Sequence, residues 1–262
     1  MSELIIAEHH DQVYSVWEKR GYRNLSVAHV DFHCDMRGIM IDRPASTAFF
    51  TSHRESTFVD RGNFLAHAIM KGFVTDLNWI HCQNSGRGSD VGPVVSYETD
   101  LLANWYRLKH RMSKRISVEF NFEEGLLSKW NGPRPGEQLD LDWDALASVE
   151  YMQPYKETMI SDFLSRNFKH VPEVTFLVYS PGYSDPDRTL FYDFAKELAG
   201  KFKAEINELP KADLVTDGER FSALRGIAKT ILPNKIRHIK RDISRWKNRY
   251  QATNDLAFYS KT

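Results

Sequence analysis

Two short acidic combs constrain the fold of this chain more than any other feature. Asp31-Phe32-His33-Cys34-Asp35 follows the apolar residues Val27, Ala28 and Val30, and Asp140-Leu141-Asp142-Trp143-Asp144 lies far downstream after another apolar start. Side chains alternate along extended chain, so Asp31, His33 and Asp35 point to one side, and Cys34 points away into packing. A carboxylate–imidazole–carboxylate comb suits a divalent ion such as Mn²⁺, or two ions sharing a bridging carboxylate. Combs that follow strands meet when the strands are parallel, because function collects at the carboxyl ends of an open α/β sheet.

The pattern of the rest of the chain agrees with such a sheet. Leu4 to Ala7 reads as a strand, followed by the polar Glu8-His9-His10-Asp11. Asp11 is placed to cap a helix carrying Val13, Val16 and Trp17, which Gly21 ends. Strands are expected at Leu25–Val30, Leu77–Ile80, Ile116–Phe120, Gln138–Asp142 and Val174–Tyr179. Helices are expected from Gly62 to Met70, closed by Gly72, over 155–167, and from Asp185 or Asp187 through Ala199. Residues 36–60 and 123–137 read as long loops, and Asn84 to Asp90 as a flexible loop without a phosphate-binding motif. Repeated strand–helix–strand units imply an α/β fold with a mainly parallel sheet covered on both faces. His9 and His10, both combs and the Ser180-Pro181-Gly182-Tyr183 loop then converge on one rim.

Length and composition narrow the class further. The 262 residues fit one domain, 1–262, with 220–262 a basic helical C-terminal segment. Lys+Arg equals Asp+Glu at 35 each, which argues against nucleic-acid and membrane partners. Met1 to Glu8 lacks a basic n-region, and no stretch is long and apolar enough to span a membrane, so a cytoplasmic protein is expected. Cys34 and Cys82 are too few for a disulfide framework or a cysteine-built zinc site. Residues 225–249 carry nine Lys/Arg against the single Asp242, either as a solvated helical face or as a docking face for an acidic leader peptide.

Together these residues resemble the arginase/deacetylase superfamily, whose arginase-like members carry Asp-x-His-x-Asp after one strand, Asp-x-Asp after a later one, and an earlier strand-end His. Asp31, His33 and Asp35 match the first motif, Asp140 and Asp142 the second, and His10 the early histidine, over about residues 4–200. Two departures are plain. Ala7-Glu8-His9-His10-Asp11 stands where arginases have Gly-Gly-Asp-His-Ser, and Asp140-Leu141-Asp142-Trp143-Asp144-Ala145 replaces Asp-x-Asp-x-x-Asp-Pro. The chain is more similar to a shorter branch with a Glu-x-His start, a paired Asp comb and a Ser-Pro-Gly-Tyr loop. That branch includes the peptide arginases, which make ornithine from arginine in ribosomal peptides.

The resemblance implies a three-layer α/β/α fold and two Mn²⁺ ions per chain. One ion would be held by His10, Asp31, Asp35 and Asp140, the other by His33, Asp31, Asp140 and Asp142. Water activated between them would attack the guanidino carbon of an arginine-containing peptide, with or without a leader, and Asp35 would protonate the leaving amine. His67 lies near the position of a proton-shuttling arginase His but two residues late, and is either that shuttle or a helix-face histidine. Glu8 would orient His10 or bind the cationic substrate, and Ser180 and Tyr183 would line the pocket. The choice of His9 or His10 as ligand is open, and Asp144 reads as a helix N-cap or an added acidic group. The alternatives are another metal-dependent C–N hydrolase of the same fold, or a metal-binding interaction protein without turnover. Oligomeric state is not legible.

Overall fold

Seven parallel strands carry the architecture. The computed structural model describes residues 2–42, 47–50, 59–82, 96–97, 118–149 and 156–210. The chain divides into two units, Met1–Lys211 and Ala212–Thr262. The second, with the expected basic helix of 220–262, lies outside the described residues, as does the loop from Asn84 to Asp90. The main sheet contains β1 (Ser2–Ala7), β2 (Leu25–Val30), β5 (Val74–His81), β8 (Asn121–Leu126), β9 (Gln138–Asp142), β10 (Val174–Val178) and β11 (Ala204–Glu208). Their order is β11-β1-β10-β9-β2-β5-β8, with every pairing parallel. A smaller mixed sheet joins β6 (Ser96–Tyr97), β3 (Ile39–Asp42), β4 (Thr47–Phe50) and β7 (Val118–Glu119), in that order.

Alternation along the central strands sends apolar side chains into two cores, as a sheet covered on both faces requires. Ile5, Ala7, Val27 and Phe176 pack with Val13 and Trp17 of α1 (His10–Arg20) and with Phe64 of α2 (Phe64–Met70). Leu4, Ile6, Ala28, Leu139, Leu141 and Leu177 pack on the other face, with α3 (Asp144–Ala147), α4 (Lys156–Ser165) and α5 (Arg188–Phe202). Trp143 sits in that second core against Phe191 and Phe194. The expected α/β class with a mainly parallel sheet is what the structure has.

The helix ends follow local chemistry. Asp187 caps α5 by accepting from the Thr189 and Leu190 amides, one of the two starts expected from sequence. Gly21 closes α1 at φ +68°, where a left-handed residue stops a helix at least cost. The start of α1 differs from expectation: His9, not Asp11, is the N-cap, and Asp11 lies in the first turn. Gln12 Oε1 accepts from the Glu8 and His9 amides at 2.7 and 3.0 Å, which fixes the turn one residue earlier.

Three further expectations are corrected. The region 36–60 contains β3 and β4, an antiparallel pair whose Ile39, Ile41, Ala48 and Phe50 are buried. Each strand has only four residues, too few for a clear period of two. In place of one strand at 116–120 the chain forms the short β7 and then β8, which occupies the start of the expected 123–137 loop. Strand β11 carried no recognised sequence signal. Both β8 and β11 are sheet edges with many exposed residues, so neither shows the apolar run of a central strand.

Candidate metal centre

Four neighbouring strands deliver the polar residues, in the spatial order β1, β10, β9, β2. Parallel register sets His29 of β2 beside Asp140 of β9, and Asp142 beside Val178 of β10. Past the strand ends, the chain adds Asp31, His33 and Asp35 after β2, Ser180 after β10, and His10 at the first turn of α1 after β1. Five carboxylates and three imidazoles thereby meet at the carboxyl rim. His29, Asp31 and Asp140 are wholly buried, and His10, Asp142 and Asp144 nearly so. His33 is the most open, with 30% of its side chain exposed.

The distances define a connected cluster. His10 Nδ1 lies 3.1 Å from Asp35 Oδ2 and 3.4 Å from Asp142 Oδ2. Its Nε2 faces Asp31 Oδ2 at 3.8 Å and Asp140 Oδ1 at 3.7 Å. His29 Nδ1 is 2.8 Å from Asp140 Oδ2, and its Nε2 is 3.2 Å from Asp31 Oδ2. On the other side of Asp31, His33 Nδ1 is 3.0 Å from Asp144 Oδ2, and the His33 amide donates to Asp31 Oδ1 at 2.6 Å. Ser180 Oγ donates to Asp142 Oδ2 at 2.7 Å. The Phe64 ring stacks on His10 at 4.8 Å and fixes the plane of that imidazole.

So many buried carboxylates distort one another's titration. Burial, followed by the charges of Asp144, Asp142 and Asp35, raises Asp31 well above the usual carboxylate range. Burial and Asp144 push Asp142 up to about 8. Burial alone would lower His10, but the carboxylates of Asp140, Asp142 and Asp35 outweigh it and raise it to about 10. His33 is likewise lowered by burial and raised further by Asp144, to about 9. Asp144 itself is lowered because its bond and charge interaction with His33 overcome its burial. Among the described residues, no Lys or Arg pairs with these five carboxylates.

The donor set fits divalent cations. Two groups of three ligands lie within coordinating reach, His10/His29/Asp31 and Asp31/His33/Asp144, and they share Asp31. His10 Nε2, His29 Nε2, Asp31 Oδ2 and Asp140 Oδ1 are all buried without a hydrogen-bond partner. Such orphans are rare unless an ion or water satisfies them, and here His10 Nε2 faces Asp31 Oδ2 and Asp140 Oδ1 while His29 Nε2 faces Asp31 Oδ2.

The structure brings His10, Asp31, His33, Asp35, Asp140 and Asp142 into one cluster, the set singled out from sequence. His10, not His9, is the histidine within it; His9 is lowered to about 4 by burial and by the nearby Arg61 charge. Ser180 contacts the cluster directly, and Tyr183 stands beside it, its ring 5.4 Å from that of His33. Glu8 differs from expectation: its carboxylate forms a two-pronged ion pair with Arg188, whose guanidinium also covers the Tyr179 ring. His67 is buried on α2 against Phe50 and Tyr14, and the α2 residue that stacks on His10 is Phe64. Cys34 is buried, as its phase implied, and burial pushes its thiol up to about 12.

Two residues of the cluster were missed or left open by the sequence reading. His29 shares the odd-numbered phase of Asp31, His33 and Asp35, a signal hidden by its position inside an apolar strand. Asp144 continues the even phase of Asp140 and Asp142. It opens α3, but its side chain accepts from the Phe32 amide at 3.2 Å and from His33, so it serves the cluster and not a helix cap.

No protein-family model matches the chain, and no curated protein does. Among solved structures it is similar to the proclavaminate amidino hydrolase from Streptomyces clavuligerus, at 13% identity and a TM-score of 0.39. The match covers 76% of this chain and 62% of that one, so the chain spans less than two thirds of its neighbour's length. No helix among the described residues is long and apolar enough to cross a membrane.

Proposed function

We propose that this chain is a metal-dependent C–N hydrolase that converts arginine side chains within peptides to ornithine, releasing urea. The observation that carries the reading is the cluster of buried, partnerless His and Asp atoms around Asp31 at the carboxyl rim of a parallel sheet. A guanidino substrate is supported by the resemblance of the two combs to arginase motifs. A peptide substrate is supported by the Glu8-His9-His10 start and the Ser180-Pro181-Gly182-Tyr183 loop, which resemble the peptide-arginase branch.

Mn²⁺ suits the carboxylate-rich shell. By the resemblance, His10, Asp31, Asp35 and Asp140 would hold one ion and His33, Asp31, Asp140 and Asp142 the other; the ligand groups within reach of a single ion are His10/His29/Asp31 and Asp31/His33/Asp144. A bound pair of this kind supplies a water acidic enough to act near neutral pH. The remaining work falls to the chain. Ser180 Oγ and the Asp144 amide hold the two oxygens of Asp142, which keeps its orientation fixed. His33, partly exposed and flanked by Tyr183, forms the solvent-facing edge through which a peptide side chain would enter. Asp35, 9% exposed and 3.1 Å from His10 Nδ1, would pass a proton to the departing nitrogen. The reaction balances as water adding to the guanidino carbon, cleavage of the bond from that carbon to the side-chain nitrogen, and proton transfer to the resulting amine.

The test couples metal content to a urea assay after Mn²⁺ reconstitution, on arginine-containing peptides and on free arginine. Two ions per chain and urea from peptides are expected. Metal without urea, but with carboxylic acid released from acylated amines, would move the activity to an amidase. A chain that binds no metal would overturn the reading.

A further inference from the structure

His29 is wholly buried in the second strand, among residues expected only to pack, yet both of its ring nitrogens face carboxylates. A carboxylate accepts but does not donate, so the 2.8 Å contact with Asp140 Oδ2 places the proton of a neutral ring on Nδ1. Nε2 then presents a lone pair to Asp31 Oδ2 at 3.2 Å, where it has no hydrogen-bond partner. His10 Nε2 presents its own partnerless edge to the same oxygen and to Asp140 Oδ1, at 3.8 and 3.7 Å. Lone pairs held face to face in a dry site repel unless a proton or a metal cation lies between them, and a metal cation alone serves all of them at once. Ligand atoms bound at roughly 2.0–2.2 Å sit about 3–4 Å from one another, which is the spacing found here.

We infer that His29 Nε2 is a direct metal ligand, making one ion position a two-imidazole site completed by His10, Asp31 and Asp140. The inference rests on the metal-site half of the proposed function and is independent of the substrate. Asp140 then has two roles, since Oδ1 faces the ion while Oδ2 orients His29 through Nδ1. That is the carboxylate–histidine–metal arrangement that fixes a tautomer and strengthens the ligand. The second position, around Asp31, His33 and Asp144, is poorer in nitrogen. Imidazole favours borderline ions such as Zn²⁺ and Co²⁺, whereas carboxylate suits Mn²⁺, so the two positions differ in selectivity.

Two measurements on the full chain test this. In the ¹⁵N-labelled wild type loaded with Zn²⁺, the Nε2 resonances of both His10 and His29 should move to metal-bound positions. That readout needs no variant and no turnover. In His29→Ala, checked for fold by circular dichroism, Co²⁺ titration should show the nitrogen-rich visible band lost, and one ion weakened at least about tenfold. If His29 Nε2 carries a proton in the loaded protein, or His29→Ala keeps both ions at wild-type affinity, His29 is an imidazolium clamp between two carboxylates and the inference falls. Failure of the urea assay alongside these spectral changes would reject the substrate and leave the ligand assignment intact.

Discussion

Asp31 joins the two halves of the cluster, and its chemistry gives the sharpest residue-level prediction. A carboxyl raised in the folded state opposes folding once the pH passes its unfolded value, so its penalty grows from about pH 4 upward in metal-free protein. Asp31→Asn removes that penalty together with the shared ligand. The metal-free variant should melt above metal-free wild type at pH 7, and added Mn²⁺ should no longer raise its Tm. A lower metal-free Tm would show that Asp31 carries structural bonds that outweigh its burial. Asp144 acts through His33, whose titration it raises to about 9 against the effect of burial. In metal-free Asp144→Asn, NMR titration should find His33 moved down towards its ordinary value.

At the scale of elements, the turns after the strands trade backbone comfort for placement. Asp35 and Ser180 adopt φ +47° and +50°, the left-handed region that costs an L-residue about 1–2 kcal/mol. Both are non-glycine because their side chains work: Asp35 touches His10, and Ser180 holds Asp142. Above pH 8, where Asp142 is ionised, Ser180→Gly relieves the backbone but loses a charge-assisted bond of about 1.5–3 kcal/mol, whereas Ser180→Ala loses the bond and keeps the strain. Denaturant unfolding should therefore rank wild type above Ser180→Gly and Ser180→Gly above Ser180→Ala. An Ala variant as stable as the Gly variant would show that the turn carries no strain. Legibility also divides by element. The central strands β1, β2, β9 and β10 are plain in the sequence because both faces are buried, while the edges β8 and β11 and the short β3–β4 pair lack that apolar run.

For the whole molecule, the cluster couples stability to metal and pH. Raised Asp31 and Asp142 lose stability as pH climbs from about 4 towards 8. His10, raised to about 10, contributes stability fully below about 6.5 and loses it as pH rises through 10. All three shifts act in one direction across pH 5–8. Bound divalent cations reverse it, because they need the deprotonated ligands. At a hundredfold excess over Kd a single ion adds about 2.7 kcal/mol, or roughly 5–10 °C in Tm for a domain of this size. The gap in Tm between Mn²⁺-loaded and chelated protein should widen from pH 5 to 8. A gap that stays constant would mean that the carboxylates are not titrating as a buried group.

The sequence by itself determined the α/β class, the central strands and five of the cluster residues, and narrowed a sixth to His9 or His10. Those features are local: a strand of period two, followed at once by residues in the same phase, reveals which side chains share a side. Only the tertiary structure decided the partners. His29 became part of the site because parallel register set it beside Asp140, a contact across 111 residues of chain. Asp144 joined because the turn into α3 aims its carboxylate at His33, and Glu8 left for Arg188 because α5 brings that guanidinium to the end of β1. His67 was committed to the aromatic core by the face of α2 that packs inward. Phase is written in neighbouring residues, but register and helix rotation depend on the whole core packing at once.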